Sequence, residues 1–215
     1  MTSALPLMLA TPRPMPLLPS TSSKAELRAW ARATRDAASP ARRAAAAAAI
    51  AGTIDDHYLA ALAPGAVIAL FAAMGSELDL RELDARARAR GLAVAYPRVV
   101  RGERALRFHR ASPGELRIAT FGVPEPLPEA PAVPLADLAL VVVPGLAFTD
   151  AGARLGWGAG HYDATLRAIG GPALGVTLAE LVVYALPEAA HDRRVDAVIT
   201  EAGPALAAGD ARGQA

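Results

Sequence analysis

The stretch ARLGWGAGHYD, residues 153–163, sets Gly156, Gly158 and Gly160 at every second position between Arg154 and Asp163. Backbone without side chains approaches a ligand closely and adopts positive φ. Successive amide N–H groups can then converge on an oxyanion, and a helix N-terminus behind them adds positive potential. Arg154 offers a planar fork matched to phosphate. Asp163 supplies oxygen to Mg2+, a hard cation. The spacing is neither that of a P-loop nor that of a dinucleotide-binding G-x-G-x-x-G turn. Glycines before a helix also make a plain turn; Arg154 and Asp163 together move the reading towards a polyphosphate and its cation.

Other residues with chemistry lie far away in the chain. Lys24 and Arg28 are one helical turn apart, and Arg35 returns to nearly the same face. Like charges so spaced repel by a few tenths of a kcal/mol. On these residues alone a solvated basic face is the plainer reading, and a shared anion the other. Glu77 follows a buried strand, where a carboxylate can either accept from the N–H groups of a heteroaromatic ring or cap a helix. His57, His109, His161 and His191 have no metal-ligand spacing. Trp30 reads as helix core, and Trp157, among the loop glycines, as a pocket wall. There is no G-x-S-x-G elbow, so serine hydrolase chemistry has no support. The absence of cysteine removes disulfides, zinc–thiolate sites, iron–sulfur clusters and cysteine nucleophiles.

These residues need a scaffold, and 215 residues suffice for one sizeable α/β domain. Residues 1–22 hold five prolines and lack a basic start, which predicts a disordered extension rather than a targeting peptide. A domain over 23–201 and a frayed tail over 202–215 are expected. Ser23 and Glu26 form a capping box for a helix over 24–38. Ser39 and Pro40 open a second helix that Pro64 and Gly65 end, and the alanine run 44–49 should pack closely on a neighbour. The run 66–73 reads as a buried strand, and 79–90 as a helix that Gly91 stops. LAVAYP is a strand; ALRFHR and ELRIAT read as an antiparallel pair. A proline-rich connection over 124–134 leads to the buried strand DLALVVVPG. A helix over 160–169, ended by Gly170 and Gly171, and two strands in PALGVTL and DAVIT complete the chain. The order implies an α/β fold, a single-domain open and mostly parallel sheet flanked by helices. Glu77 and the glycine loop both follow strands of that sheet, at whose carboxyl ends ligands bind.

The net charge of +1 gives no reason to expect nucleic acid or an anionic membrane as partner. No run of about 18 apolar residues suggests a membrane span. A cytoplasmic monomer is expected.

Together KAELR, GSELD, YPRV, FGVPEP, VVVPGLAFTDAGARLGWGAGHYD and LPEAAHDRRVDAVIT resemble, in order, the 5-formyltetrahydrofolate cyclo-ligase family. The resemblance implies a sugar-phosphate isomerase/CoA-transferase-like fold. It also implies ATP and Mg2+, and cyclisation of 5-formyltetrahydrofolate, in polyglutamylated form or not, to 5,10-methenyltetrahydrofolate with ADP and phosphate released. By the same resemblance the first motif, Lys24, Ala25, Glu26, Leu27 and Arg28, contacts ATP. So does the loop Arg154, Leu155, Gly156, Trp157, Gly158, Ala159, Gly160, His161 and Tyr162. Lys24 and Arg154 would act in catalysis. Asp163 and Asp192 would hold Mg2+. Glu77 would anchor the pterin, with Ala72, Phe121 and the loop face from Trp157 to His161 completing that pocket. The family usually has glutamine at Leu181, and often glutamate at Ala189 and arginine at Ala164. Leu181 and Ala189 keep open a non-catalytic folate or nucleotide binder; the broad fold keeps open an isomerase or acyl-transferase that needs no ATP, against which Lys24 and Arg28 speak.

Overall fold

The computed structural model describes residues 23–119 and 122–205. The expected extension, 1–22, lies outside them. Helix α1 (Lys24–Ala37) starts as its capping box dictates: Glu26 N–H donates to Ser23 Oγ, and Ser23 N–H donates to the Glu26 carboxylate. Helix α2 (Pro40–His57) has Ser39 as cap but ends well before Pro64. A 3-10 turn at Leu59–Ala61 follows and drives Leu59 into the core. Only Ala46 and Ala47 of the alanine run are buried; Ala44, Ala45 and Ala49 face solvent. Helix α3 (Arg81–Ala89) is followed by Gly91 at φ 76°, as a C-terminal glycine should be.

The strands are shorter than the apolar runs that announce them. Strand β1 is Val67–Ala69 only, because the chain leaves the sheet after the still-buried Leu70 and Phe71. Strands β2 (Ala93–Arg98) and β3 (Arg107–Arg110) are antiparallel. The expected pairing of ALRFHR with ELRIAT does not form. A capped 3-10 turn at Pro113–Glu115 redirects the chain, so β4 (Arg117–Ile118) pairs instead with β5 (Pro124–Glu125). The other edge of β3 takes β6 (Ala132–Val133). There follow β7 (Leu138–Pro144), β8 (Ala147–Thr149), β9 (Arg154–Leu155), helix α4 (His161–Thr165), β10 (Ala173–Val176), β11 (Val182–Val183), β12 (Ala197–Thr200) and β13 (Gly203–Pro204). The expected frayed tail is thus a paired strand at 203–204; residues 206–215 lie outside the described residues.

The main sheet has the order β13-β12-β10-β7-β1-β2-β3-β6, parallel from β12 to β2 and antiparallel beyond. Alternate residues serve opposite faces. Ile68, Val94, Leu140, Val142, Leu174 and Ile199 pack with α1, α2 and α3, while Val67, Ala69, Ala95, Val141, Val143 and Val198 pack with Phe148, Val182 and Leu166 on the other side. A small sheet, β11-β8-β9, extends that second layer. From β1 the chain moves to β2 in one direction, and from β7 to β10 and β12 in the other. The reversal falls between β1 and β7, so a crevice opens beyond their carboxyl ends. Among the described residues no helix is long and apolar enough to cross a membrane.

Glycine at 171 is a packing requirement rather than a helix stop, since a Cβ there would lie 2.1 Å from Ala139 O. Gly52, inside α2, has nothing within 4 Å of a Cβ position. Gly171→Ala should therefore lower the urea-unfolding free energy by about 1–3 kcal/mol, the usual cost of overpacking. Gly52→Ala should raise it by about 0.5–1 kcal/mol through helix propensity.

Candidate active site

The glycine loop is delivered by β8 and β9, whose antiparallel ladder sets Phe148 opposite Arg154 and Ala147 opposite Leu155. Each glycine has its own physical reason. Gly158 and Gly160 stand at φ 109° and 73°. A Cβ at Gly156 would lie 2.6 Å from Arg154 Nη1, so the guanidinium would have to shift. Helix α4 is one short stretch, not the ten residues expected, because the chain tightens into turns from Leu166.

Arg154 is nearly enclosed, its side chain 5% exposed. Its Nη2 donates to Asp163 Oδ1 at 2.9 Å, and its guanidinium carbon lies 5.6 Å from the centroid of the Tyr162 ring. Arg154 Nε and the Tyr162 hydroxyl are buried without a hydrogen-bond partner. Burial pushes the Tyr162 hydroxyl well above its ordinary pKa, so it stays neutral and able to donate.

The basic residues of α1 are not a solvated face. Lys24 Nζ donates to Asp192 Oδ2 at 2.5 Å, and Arg28 Nε donates to Gly156 O at 2.9 Å. Arg35 lies deeper, with Nε donating to Ser76 Oγ at 2.9 Å. Lys24 is the only lysine in the chain; its other basic side chains are arginines. Burial alone would raise the Asp192 carboxyl, but hydrogen bonds from Lys24 and the Ala189 N–H, with the Lys24 charge, hold it below its ordinary pKa. Ala25, Glu26 and Leu27, expected on ATP, do not line the crevice. The helical period turns Leu27 into the core and leaves Glu26 engaged with Ser23.

The crevice is a cavity of about 660 Å3. Lys24, Arg28, Ala72, Glu77, Asp192 and every residue from Arg154 to Asp163 line it. Phe121 lies outside the described residues. Phe71, Pro97, Val99 and Leu106 add apolar wall that the sequence did not announce. Glu125 was also missed. It lines the cavity while 2% exposed, accepts from Val99 N–H and faces Arg98 Nη1 at 3.6 Å. Nothing in a proline-rich connection marks such a residue.

Glu77 sits at the apolar side of the crevice. Its Oε2 accepts from Met74 N–H at 2.9 Å and its Oε1 from Trp157 Nε1–H at 3.1 Å. Burial raises its pKa, opposed by the Met74 N–H, by the charge of Arg35 and by the indole. His161 turns aside: its Nδ1 is 2.9 Å from Arg104 O. Asp163 and Asp192 are brought close, since Arg193 N–H donates to Asp163 Oδ1 at 3.3 Å. Among the described residues no group of three or more His, Cys, Asp or Glu could hold a metal. Among the described residues, Oδ2 of Asp163 and Oδ1 of Asp192 take part in no hydrogen bond, and His191 Nε2 stands 3.7 Å from Asp192 Oδ1. Two such oxygens suit Mg2+, which is commonly held by one or two carboxylates with substrate phosphates and water.

Comparison with known proteins points to one family. The 5-formyltetrahydrofolate cyclo-ligase family matches residues 20–201. A protein of Mycolicibacterium smegmatis named 5-formyltetrahydrofolate cyclo-ligase is 36% identical over 98 residues, 44% of this chain. The match spans half of that relative's length. The 5,10-methenyltetrahydrofolate synthetase of Aquifex aeolicus superposes with a TM-score of 0.74 at 28% identity, covering 89% of this chain and 96% of that one. The synthetase of Mycoplasma pneumoniae, at 17% identity and a TM-score of 0.68, covers 84% of this chain and 99% of its own and attests the fold. Since the family match takes in the α1 motif, the glycine loop and the last parallel strand, the chain belongs to the 5-formyltetrahydrofolate cyclo-ligase family.

Proposed function

We propose that the protein uses ATP to close 5-formyltetrahydrofolate into 5,10-methenyltetrahydrofolate, releasing ADP and phosphate. The observation that carries this reading is one cavity with two chemistries. Lys24, Arg28 and Arg154 gather with two aspartates, and Glu77 stands against aromatic and apolar wall. A polyphosphate suits the first group and a heterocycle with N–H donors the second.

The chemistry needs alignment more than it needs a protein nucleophile. A formamide oxygen is a poor leaving group. Its attack on the γ-phosphorus forms an O–P bond as the bond to ADP breaks. N10 then attacks the activated formyl carbon, a C–N bond forms, the C–O bond breaks, and phosphate departs with the proton that N10 loses. Lys24 and Arg154 hold the transferring phosphoryl group and take up its charge. The free Arg154 Nε–H and the N–H groups of Gly156 to Gly160 are further donors, while Arg28 fixes the loop through Gly156 O. Asp163 and Asp192 would hold Mg2+, which would neutralise phosphate charge. Glu77 anchors the pterin, with Ala72 and Trp157 beside it.

Leu181 does not speak for a non-catalytic relative. It is 1% exposed, part of the core, and absent from the lining of this cavity. Ala189 does line it and uses its N–H to orient Asp192, a task any side chain permits.

Incubation with 5-formyltetrahydrofolate and MgATP should yield the near-ultraviolet absorbance of the methenyl product; folded protein that gives none would refute the activity. Asp163→Asn keeps an acceptor for Arg154 but loses the charge. It should reduce kcat/KM by about 10²–10³-fold, the scale of losing one preorganised electrostatic group, with an unchanged far-ultraviolet dichroism spectrum. Near-normal turnover would remove Asp163 from the metal role.

A further inference from the structure

Arg35 has no part in the reaction as described, yet it stands beside both Glu77 and the indole that donates to it. Its side chain is 8% exposed. Its Nε–H donates to Ser76 Oγ, and Ser76 Oγ in turn donates to the Asp36 carboxylate. Helix α1 is thereby tied to the segment after β1 that carries Glu77. Its guanidinium carbon lies 5.2 Å from the centroid of the Trp157 ring, and that of Arg32 lies at 5.4 Å. The indole N–H rests on Glu77.

We propose that Arg35 is the positioning residue of the ring-binding corner: it holds Glu77 as an ionised, two-oxygen acceptor for a fused heterocycle that presents two adjacent N–H donors. The ligand named here rests on the folate reading of the cavity; the link between Arg35 and Glu77 does not.

The distances give the argument its form. Arg35 Nη1 stands 3.8 Å from Glu77 Oε1, close enough to act through charge but too far for a hydrogen bond. It therefore stabilises the carboxylate without occupying a lone pair. A carboxylate offers about four acceptor positions. Met74 N–H takes one on Oε2 and Trp157 Nε1–H takes one on Oε1. One position stays open on each oxygen, as two adjacent N–H groups require. A protonated Glu77 would turn one of those acceptors into a donor and meet the ring with a clash of hydrogens. Burial pushes towards that state, and the Met74 N–H, the charge of Arg35 and the indole push against it. Of these three, Arg35 alone does so without taking an acceptor position. The other groups facing this corner do not replace Arg35. Arg32 lies over the Trp157 ring, Asp36 is spent on Ser76, and Tyr162 is held neutral by burial. Arg28 is engaged with Gly156 O.

A staple between helix and loop would affect stability alone; this role predicts a pH signature. Two measurements test it. The first follows the Glu77 carboxyl by 13C NMR in ligand-free protein, assigned through Glu77→Gln. Arg35→Gln, which can keep the Ser76 bond, should move the Glu77 titration upwards, and Arg35→Lys should return most of the way. The second follows KM for 5-formyltetrahydrofolate from pH 8 to pH 6. The sign follows from the charge: binding needs the ionised form, so KM rises as pH falls through the Glu77 pKa. Wild type should be nearly flat. Arg35→Gln should rise by up to about tenfold per pH unit on the acid side, with kcat changed much less, and Arg35→Lys should be flat again. An unmoved Glu77 titration, a KM raised equally at every pH, or a loss in kcat alone would overturn the proposal. If Arg35→Gln does not fold, Ser76→Ala serves in its place, with a smaller rise of the same sign expected and none overturning it. Wild type that fails to bind the folate overturns the ligand and the folate reading together, while the NMR arm still decides whether Arg35 keeps Glu77 ionised.

Discussion

An arginine that cannot lose its proton, enclosed where water hardly reaches, must be met by a negative charge. Arg154 and Asp163 satisfy that constraint at 2.9 Å, and much of the site follows from it. The ladder of β8 with β9 brings the arginine, and the first turn of α4 brings the aspartate. The loop between them carries Gly156, at whose Cβ position a side chain would meet the guanidinium itself. Buried pairs of this kind are weak evidence of stability, because desolvation cancels most of the attraction. Their value here is that charge is assembled in advance. Lys24 and Asp192 repeat the arrangement, a second cation held by a second carboxylate in the same crevice.

The sheet decides where that charge stands. Because the chain leaves β1 and β7 in opposite directions, the segments that follow them must diverge and leave a gap. One segment carries Glu77 and the other carries the glycine loop. Helix α1 lies across the opening and contributes Lys24, Arg28 and Arg35 from one stripe, while Leu27 and Ala31 of the same helix enter the core. One helix thus binds the sheet with one side and furnishes the site with the other.

What could be read from the sequence was what local spacing encodes. The Ser23–Glu26 box, the Ser39–Pro40 start and the Gly91 stop are local and were found where expected. The parallel sheet and the loop between Arg154 and Asp163 were also legible, because apolar runs and glycine spacing are strong signals. The pairing of β4 with β5 was not, since strands of two residues leave almost no pattern and their partner is chosen by a turn. Ala25 to Leu27 belong to the same linear motif as Lys24 and Arg28 yet do not line the crevice, because a helix presents only every third or fourth residue to one side. Arg35 was visible as a charge on the right face, but its meeting with Ser76 and Glu77 joins segments about forty residues apart. Glu125 depends on still longer-range packing and left no trace.

The single lysine has a consequence of a different kind. In a chain whose other fixed cations are guanidinium groups, Lys24 is the one side chain that offers a primary amine, and it stands in the crevice against Asp192. An acylating reagent would therefore find one ε-amino group, in the crevice. Its modification would be slowed by whatever occupies the crevice, so the extent of labelling would serve as a footprint of occupancy with no engineered probe.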